Sequence, residues 1–129
     1  MEYTLEKLEV YQLAESFSDT IWQLVAKWNS FQRDTIGKQV VRSADSISAN
    51  IAEGYGRYYY KESKQFFFYS RGSLQETKSW LSKCKRRDII ETDKADNLIA
   101  EAEKLLAKLN GYIKFIAKSP SHNKKKDSE

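Results

Sequence analysis

The sequence has little of what catalytic and metal-binding proteins use. Its 129 residues include one cysteine and one histidine. The histidine, His122, lies in a polar C-terminal segment, so we expect neither a Ser/His/Asp nor a Cys/His arrangement in one ordered domain. One cysteine and one histidine also cannot complete a zinc site. Cys84 lies between two lysines, which can lower a thiol pKa, but its place in an apolar series favours a buried core thiol. We therefore predict no enzyme activity, no metal and no cofactor.

Long apolar runs and turn-forming residues are scarce too. No run approaches the roughly 20 apolar residues of a membrane span, and the first residues lack the order of a signal peptide. The single cysteine cannot form an internal disulfide, which agrees with a reducing compartment. One proline and five glycines leave few turns for an all-β fold. These absences predict a cytoplasmic protein that has no membrane segment and is built from long helices.

Apolar residues recur every three or four positions over four stretches, the spacing typical of amphipathic helices. The stretches are 10–28, 36–54, 61–87 and 92–116. Helices of this length with short connections can bury their apolar faces only against one another. We predict an all-α fold, an up-down-up-down antiparallel four-helix bundle over residues 1–117, followed by a disordered basic tail over residues 118–129.

The predicted helix ends carry residues that are common at such positions. Asn29 and Ser30 can cap the second helix, and Thr92 can cap the fourth. Gly54 offers a left-handed C-cap. We interpret residues 54–56 as a turn and not as a phosphate-binding loop, because no strand precedes them.

Positive charge is concentrated in one part of the chain. Residues 57–87 contain nine lysines and arginines against two glutamates, a net charge of +7, whereas the whole chain carries +4. Such a segment attracts polyanions, although an acidic protein surface or solubility alone would also account for it. We predict that the following residues contact a nucleic-acid backbone: Arg57, Lys61, Lys64, Arg71, Lys78, Lys83, Arg86 and Arg87.

Aromatic residues exceed what one core stripe can bury. Phe66, Phe67 and Phe68 are consecutive, and because each helical step turns about 100°, the outer two point about 200° apart. The run of tyrosines at 58–60 adds to the surplus. Surplus rings are typical of an association surface or of base stacking, although single exposed rings are also tolerated. We predict a homo-oligomer whose interface includes Trp22, Phe66, Phe67, Phe68 and Trp80. The apolar series of the third helix itself contains Phe66, Tyr69, Ser70, Leu74, Leu81 and Cys84.

Polar residues with helical spacing form stripes on the second and third helices. We predict a polar network, within or between subunits, that includes Gln39, Arg42, Ser46, Asn50, Glu53, Ser73 and Glu76. A solvated face and a ligand site are the alternatives. An enzyme with Glu53 and Glu76 as paired carboxylates at a cleft is a further alternative.

Residues 39–57 and 72–76 resemble a family of bacterial four-helix bundle proteins first noticed as reading frames inside intervening sequences of 23S ribosomal RNA genes and often labelled ribosomal-protein-like. The Asn-Ile-Ala-Glu-Gly run at 50–54 is the specific part. With the segment 8–14, which also fits, the resemblance covers roughly residues 5–116.

The resemblance implies a ring-like homopentamer. A relative of the family is the accessory protein of diversity-generating retroelements, which works with a reverse transcriptase and nucleic acid. RNA or DNA binding is therefore the leading expectation for function. The alternative is a protein-protein adaptor that docks an acidic or reverse-transcriptase-like partner. The proline often present in the family's first interhelix connection is absent from residues 28–32.

Overall fold

A computed structural model of the protein describes residues 4–118. This part of the chain begins with a 3₁₀ turn, Leu5–Lys7, and then forms four long helices. A short helical turn, Ser30–Gln32, and a π-helical turn, Arg33–Gly37, lead into the second of them. The described range contains no β-strand, and the protein is an all-α four-helix bundle, as predicted. The helices are α1 (Glu9–Ala26), α2 (Lys38–Gly56), α3 (Tyr60–Arg86) and α4 (Thr92–Lys118).

The apolar faces of the four helices form one core. Burial of these side chains is the main stabilising term, at about 25 cal/mol per Å² removed from water. The predicted spacing holds in all four helices, where buried positions recur every three or four residues. In α3 the buried residues include Phe67 and Thr77, whereas the predicted Phe66 is half-buried and Tyr69 is exposed. The largest fully buried apolar side chains are Ile21, Val40, Ile47, Ile51, Phe67, Leu74, Leu81 and Leu109.

Short hydroxyl side chains connect α2 to α1 and α3. Ser48 Oγ donates to Glu15 Oε2 of α1 at 2.6 Å. Thr77 Oγ1 of α3 donates to Ser43 Oγ at 2.9 Å, and Ser70 Oγ of α3 donates to the Ile47 carbonyl at 2.8 Å. Small hydroxyls allow the helix backbones to approach closely while every buried polar side-chain atom of the described residues keeps a partner.

The contacts of α4 follow a regular register. Arg71 Nη1 of α3 donates to Asn110 Oδ1 at 3.0 Å, and Lys78 Nζ lies 3.3 Å from Glu103 Oε2. Lys108 Nζ of α4 lies 3.3 Å from Glu9 Oε1 of α1. Residue numbers rise along one helix as they fall along its neighbour. These pairings show that α3 and α4 run antiparallel.

The prediction of a left-handed turn at Gly54 is wrong. Helix α2 continues to Gly56, and no glycine within residues 4–118 has a positive φ. Gly54 is required instead by the close approach of α3. A Cβ atom there would lie 2.6 Å from Cε1 of Phe67 and 2.9 Å from the carbonyl oxygen of Ser63. The connection to α3 is residues 57–59.

The ends of the helices differ in how well the sequence predicts them. Asn29 is a cap as predicted, because its Oδ1 accepts from the Gln32 amide at 2.9 Å. Thr92 is the first residue of α4 and not its cap. The described part of α4 extends to Lys118, the first residue of the predicted tail. The rest of the predicted disordered tail lies outside the described residues.

Candidate nucleic-acid interface

The eight basic residues predicted to contact nucleic acid do not form one patch. Lys61, Lys64 and Arg71 lie in the first half of α3. Arg86 ends this helix, about 30 Å along the axis from Lys64 at 1.5 Å per residue, with Lys83 and Arg87 close by in sequence. The two groups are therefore separate surfaces. Arg57 and Lys78 belong to neither group.

Ion pairs neutralise part of the charge. Arg57 Nη2 lies 3.0 Å from Glu53 Oε2, and Lys78 is paired with Glu103. Lys85, which follows Lys78 by two turns, is paired in the same way with an acidic residue of α4, Asp96, at 2.7 Å. Arg57 and Lys78 are therefore weaker anion-binding candidates than the sequence suggests.

The three cations of the first group lie outside the ion pairs of the bundle. None of the ion pairs within residues 4–118 involves Lys61, Lys64 or Arg71. The hydrogen-bond partner of Arg71 on α4 is a neutral amide. Spacings of three and seven residues place the three cations on one side of α3, the side that borders α4. The cations of the second group take part in none of these ion pairs either, so both groups carry uncompensated positive charge.

Aromatic rings hold two of these cations. Lys64 Nζ lies 5.5 Å from the centre of the Tyr60 ring and 6.0 Å from that of Phe68. The guanidinium carbon of Arg71 lies 4.5 Å from the centre of the Phe68 ring. Cation–π attraction of this kind restrains a long side chain without neutralising its positive charge. We call Tyr60, Lys61, Lys64, Phe68 and Arg71 the cation–ring cluster.

Further rings lie beside the cluster. Tyr58 is 63% exposed and meets Tyr59 edge to face at 4.8 Å. Tyr69, which its spacing places in the core, is instead 50% exposed and meets Phe66 at 5.5 Å. The sequence indicates the surplus of tyrosines at 58–60 but not the exposure of Tyr69.

The structure corrects the predicted association surface at one position. Phe67 is 1% exposed and packs against Tyr112 of α4, with ring centres 5.4 Å apart. Its assignment to an interface is wrong, because the core needs a large ring opposite Gly54. Trp22 and Phe68 are exposed, and Phe66 and Trp80 are half-buried. These four remain available at the surface of the protomer.

Only part of the predicted polar network is connected. Glu76 Oε2 accepts from Arg42 Nη2 at 2.7 Å and from Trp80 Nε1 at 3.1 Å. Arg42 Nη2 also donates to Gln39 Oε1 at 3.2 Å. The network therefore links α2 to α3 around Glu76.

The other predicted members are not joined to Glu76 by their side chains. Ser46 and Asn50 donate to carbonyls of their own helix at 2.9 Å and 2.8 Å. Ser73 contributes only its backbone carbonyl oxygen, which lies 2.8 Å from Thr77 Oγ1. Glu53 pairs with Arg57, as described above.

The arrangement gives no support to a carboxylate pair. Glu53 and Glu76 are held by different arginines, Arg57 and Arg42. Glu53 is eleven residues beyond Arg42 on α2, about 16 Å along the axis. Within residues 4–118 no cluster of three acidic, histidine or cysteine side chains is placed to hold a metal ion.

Cys84 is a core residue, as the apolar series predicts. Its side chain is fully buried on α3. Burial raises the pKa of the thiol to about 11, against a smaller lowering by the nearby charge of Arg87. The neighbouring lysines do not make it a reactive nucleophile.

An apolar groove lies at the other end of the bundle. It has a volume of about 300 Å³ and runs between the end of α1 and the π-helical turn. Its apolar lining includes Trp22, Val25 and Val41, and its border includes the cations Arg33 and Lys38. We call it the Trp22 groove. None of the helices in the described range combines the length and the hydropathy of a membrane span.

Comparisons with known proteins agree with this fold. Residues 6–111 match the sequence profile of a family described as 23S rRNA-intervening sequence proteins. A crystal structure of a protein with unknown function from the S23 ribosomal protein family, from Bacteroides thetaiotaomicron VPI-5482, is similar with a TM-score of 0.74. The sequences are 22% identical, and the similarity covers 81% of this chain and 98% of that one. A comparison with curated proteins gives no match.

Proposed function

We propose that this chain, which belongs to the family of 23S rRNA-intervening sequence proteins, is a non-catalytic cytoplasmic protein that self-associates and binds the backbone of RNA or DNA. The cation–ring cluster is the observation that carries the proposal. It combines uncompensated charge with aromatic surface on one rigid helix. The sequence profile indicates membership of the family but not the activity.

The electrostatic argument rests on what surrounds the three cations. Acidic residues of α4 pair with Lys78 and Lys85, but not with Lys61, Lys64 or Arg71. A polyanion that binds there gains charge contacts without breaking an ion pair, and it releases condensed counterions to the solvent. The free energy gained grows with the number of such cations.

Self-association would multiply this gain. Two tryptophans border the exposed face of α2. Trp22 lines the same groove as Val41 on one side of the helix. On the other side, Trp80 donates to Glu76, which also accepts from Arg42 of α2. We assign the interface to this face and to Phe66, whose ring centre lies 4.6 Å from the guanidinium carbon of Arg57, just after the end of α2. We assign Phe68 to the nucleic-acid surface because two cations lie on its ring. A ring of five copies would carry five cation–ring clusters.

Charge reversal tests the nucleic-acid surface. The triple variant Lys61→Glu, Lys64→Glu, Arg71→Glu should lose most of its affinity for a fluorescent oligonucleotide in an anisotropy titration. The slope of log affinity against log salt should fall by about 0.7 to 0.9 per lost phosphate contact.

A second triple variant is the matched control. Lys7→Glu, Lys94→Glu, Lys104→Glu changes the net charge by the same amount at exposed positions outside the cluster. Its affinity should fall much less. Equal losses in the two variants would show that only the overall charge matters, and unchanged affinity in the first would reject the site.

Light scattering tests self-association. After RNase treatment, the molar mass of the purified protein should be two or more times 15.1 kDa, and any additional mass before treatment is bound RNA. Trp22→Ala, Trp80→Ala should lower it towards one chain, and Asn50→Ala and Glu76→Ala should weaken the assembly if the polar network spans subunits. A well-folded single chain at all concentrations would contradict the proposal.

The Trp22 groove supports a second candidate function. Apolar walls and a border of two cations suit a protein partner that inserts an apolar side chain flanked by acidic residues. The protein would then act as an adaptor. If co-purification recovers a partner that Trp22→Ala releases, while the cluster variant leaves it bound, the adaptor function is favoured.

A further inference from the structure

We infer that the preferred ligand of the cation–ring cluster is a single strand of nucleic acid, whose bases stack on the exposed rings while its phosphates contact the lysines. This inference rests on the proposed function and specifies its ligand. It is carried by the placement of rings among the cations and not by charge alone.

The rings and cations occupy one short path. Lys61 and Arg71 are separated by about 15 Å along the axis of α3, a span of a few nucleotides. Phe68 lies between them on the same side of the helix and is 39% exposed. Tyr58 and Tyr59 lie in the connection just before the helix begins. A strand that follows the lysines would therefore pass over aromatic surface.

This placement discriminates between the two forms of nucleic acid. In a duplex the faces of the bases are covered by neighbouring base pairs, so the rings have nothing to stack on. In a single strand each base offers a free face, and stacking on an aromatic side chain adds to the phosphate contacts. On charge alone the duplex, with its higher charge density, should bind more tightly. A preference for the single strand would therefore report stacking.

Three oligonucleotides of equal length test the inference with the purified full-length protein. The first is a single strand of mixed sequence, the second is its duplex and the third is an abasic strand, which keeps the phosphates but has no bases. We expect the base-bearing strand to bind about tenfold more tightly than the abasic strand, the equivalent of one stacked base. It should also bind more tightly than the duplex, for RNA and for DNA.

Aromatic variants locate the effect. Tyr58→Ala, Tyr59→Ala should lower affinity for the base-bearing strand about tenfold. It should leave affinity for the abasic strand nearly unchanged, because the rings that lie on Lys64 and Arg71 are kept. Phe31→Ala is the matched control, because Phe31 is 77% exposed and precedes Tyr58 by the length of α2 and its leading turns, about 40 Å. It should leave all three affinities unchanged.

The outcomes separate this inference from the proposed function. If the duplex binds more tightly and the abasic strand binds as well as the base-bearing one, with a salt dependence that the cluster variant removes, single-strand preference is rejected and backbone binding stands. If no oligonucleotide binds, or binding does not respond to the cluster variant, the proposed function fails as well.

Discussion

Gly54 of α2 lies directly against the ring of Phe67 on α3. A methyl group at position 54 would be 2.6 Å from Cε1 of that ring and 2.9 Å from a backbone oxygen of Ser63. Overpacking a core typically costs about 1–3 kcal/mol, and the backbone atom cannot rotate away. Better helix propensity returns about 1 kcal/mol. We expect Gly54→Ala to lower the free energy of unfolding by about 1–2 kcal/mol in urea titrations.

Gly111→Ala is the control for this prediction. Gly111 lies within α4, and a Cβ atom there would meet nothing within 4 Å. The same substitution should therefore raise stability, by about 0.5–1 kcal/mol, through helix propensity alone. Two variants that shift in the same direction would contradict close packing at Gly54.

Phe67 and Phe68 should respond oppositely although they are adjacent. Phe67 is part of the core, so Phe67→Ala removes buried area and leaves a cavity, at a cost of about 3–5 kcal/mol. Phe68→Ala should cost much less, about 1 kcal/mol, because Phe68 is 39% exposed and its removal leaves no enclosed cavity. Denaturant titrations of a protein without bound nucleic acid measure both. Similar losses would place Phe68 inside the fold.

Asp88 ends α3 in a strained conformation that glycine would relieve. It is the sole non-glycine residue of 4–118 with a positive φ, 56°. The amides of Ile89 and Asp88 bond back to the carbonyls of Cys84 and Lys85, at 2.9 Å and 3.2 Å, which is the usual left-handed ending of a helix. Asp88→Gly should stabilise the protein by about 1 kcal/mol, since it removes both the strain and a negative charge at the helix C-terminus.

Asp88→Asn separates the two contributions. It removes the charge but keeps a side chain in the left-handed region, so a gain of a few tenths of a kcal/mol is expected. Thermal melts of the wild-type protein and of the Asp88→Gly and Asp88→Asn variants measure these differences in stability. If Asn equals Gly, strain makes no contribution.

The buried thiol of Cys84 should make stability depend on alkaline pH. Its pKa is about 11 in the folded protein, whereas an unfolded cysteine titrates near 8.5. The folded form therefore keeps its proton where the unfolded form loses it. This contribution is intact below about pH 8.5 and is lost as the pH rises towards 11. The slope approaches about 1.4 kcal/mol per pH unit in that window.

Cys84→Ala isolates the effect. Between pH 8 and pH 10 the wild-type protein should lose about 2 kcal/mol more unfolding free energy than the variant, because tyrosines and lysines titrate in both. Native Cys84 should also react with a thiol reagent only as fast as the protein opens. Parallel pH profiles would indicate that the thiol is accessible.

The sequence predicts the four helices well, because the apolar residues that form the core recur every three or four positions within each helix. It fails at Gly54 because a glycine that avoids a collision with α3 has the same sequence signature as a glycine that ends a helix. The burial of Phe67 and the exposure of Tyr69 depend on how far α3 is rotated about its axis. Three consecutive phenylalanines do not determine that rotation.

The sequence predicts the positive charge of the candidate site, but it does not predict which of the cations form ion pairs. The excess of cations in residues 57–87 is visible in the sequence. Which of them are neutralised depends on α4, whose Glu103 and Asp96 are brought to Lys78 and Lys85 only by folding. The same holds for Glu76, which joins Arg42 from another helix.

The π-helical turn at Arg33–Gly37 accommodates one residue more than an α-helical path needs. Deletion of Thr35 should convert the stretch into uninterrupted α-helix, rotating the segment around Phe31 by about 100° relative to α2. The packing of α2 itself would not have to change register. The chain thus contains a position next to the Trp22 groove where loss of a single codon can be absorbed, so that the groove's entrance can change while the bundle persists.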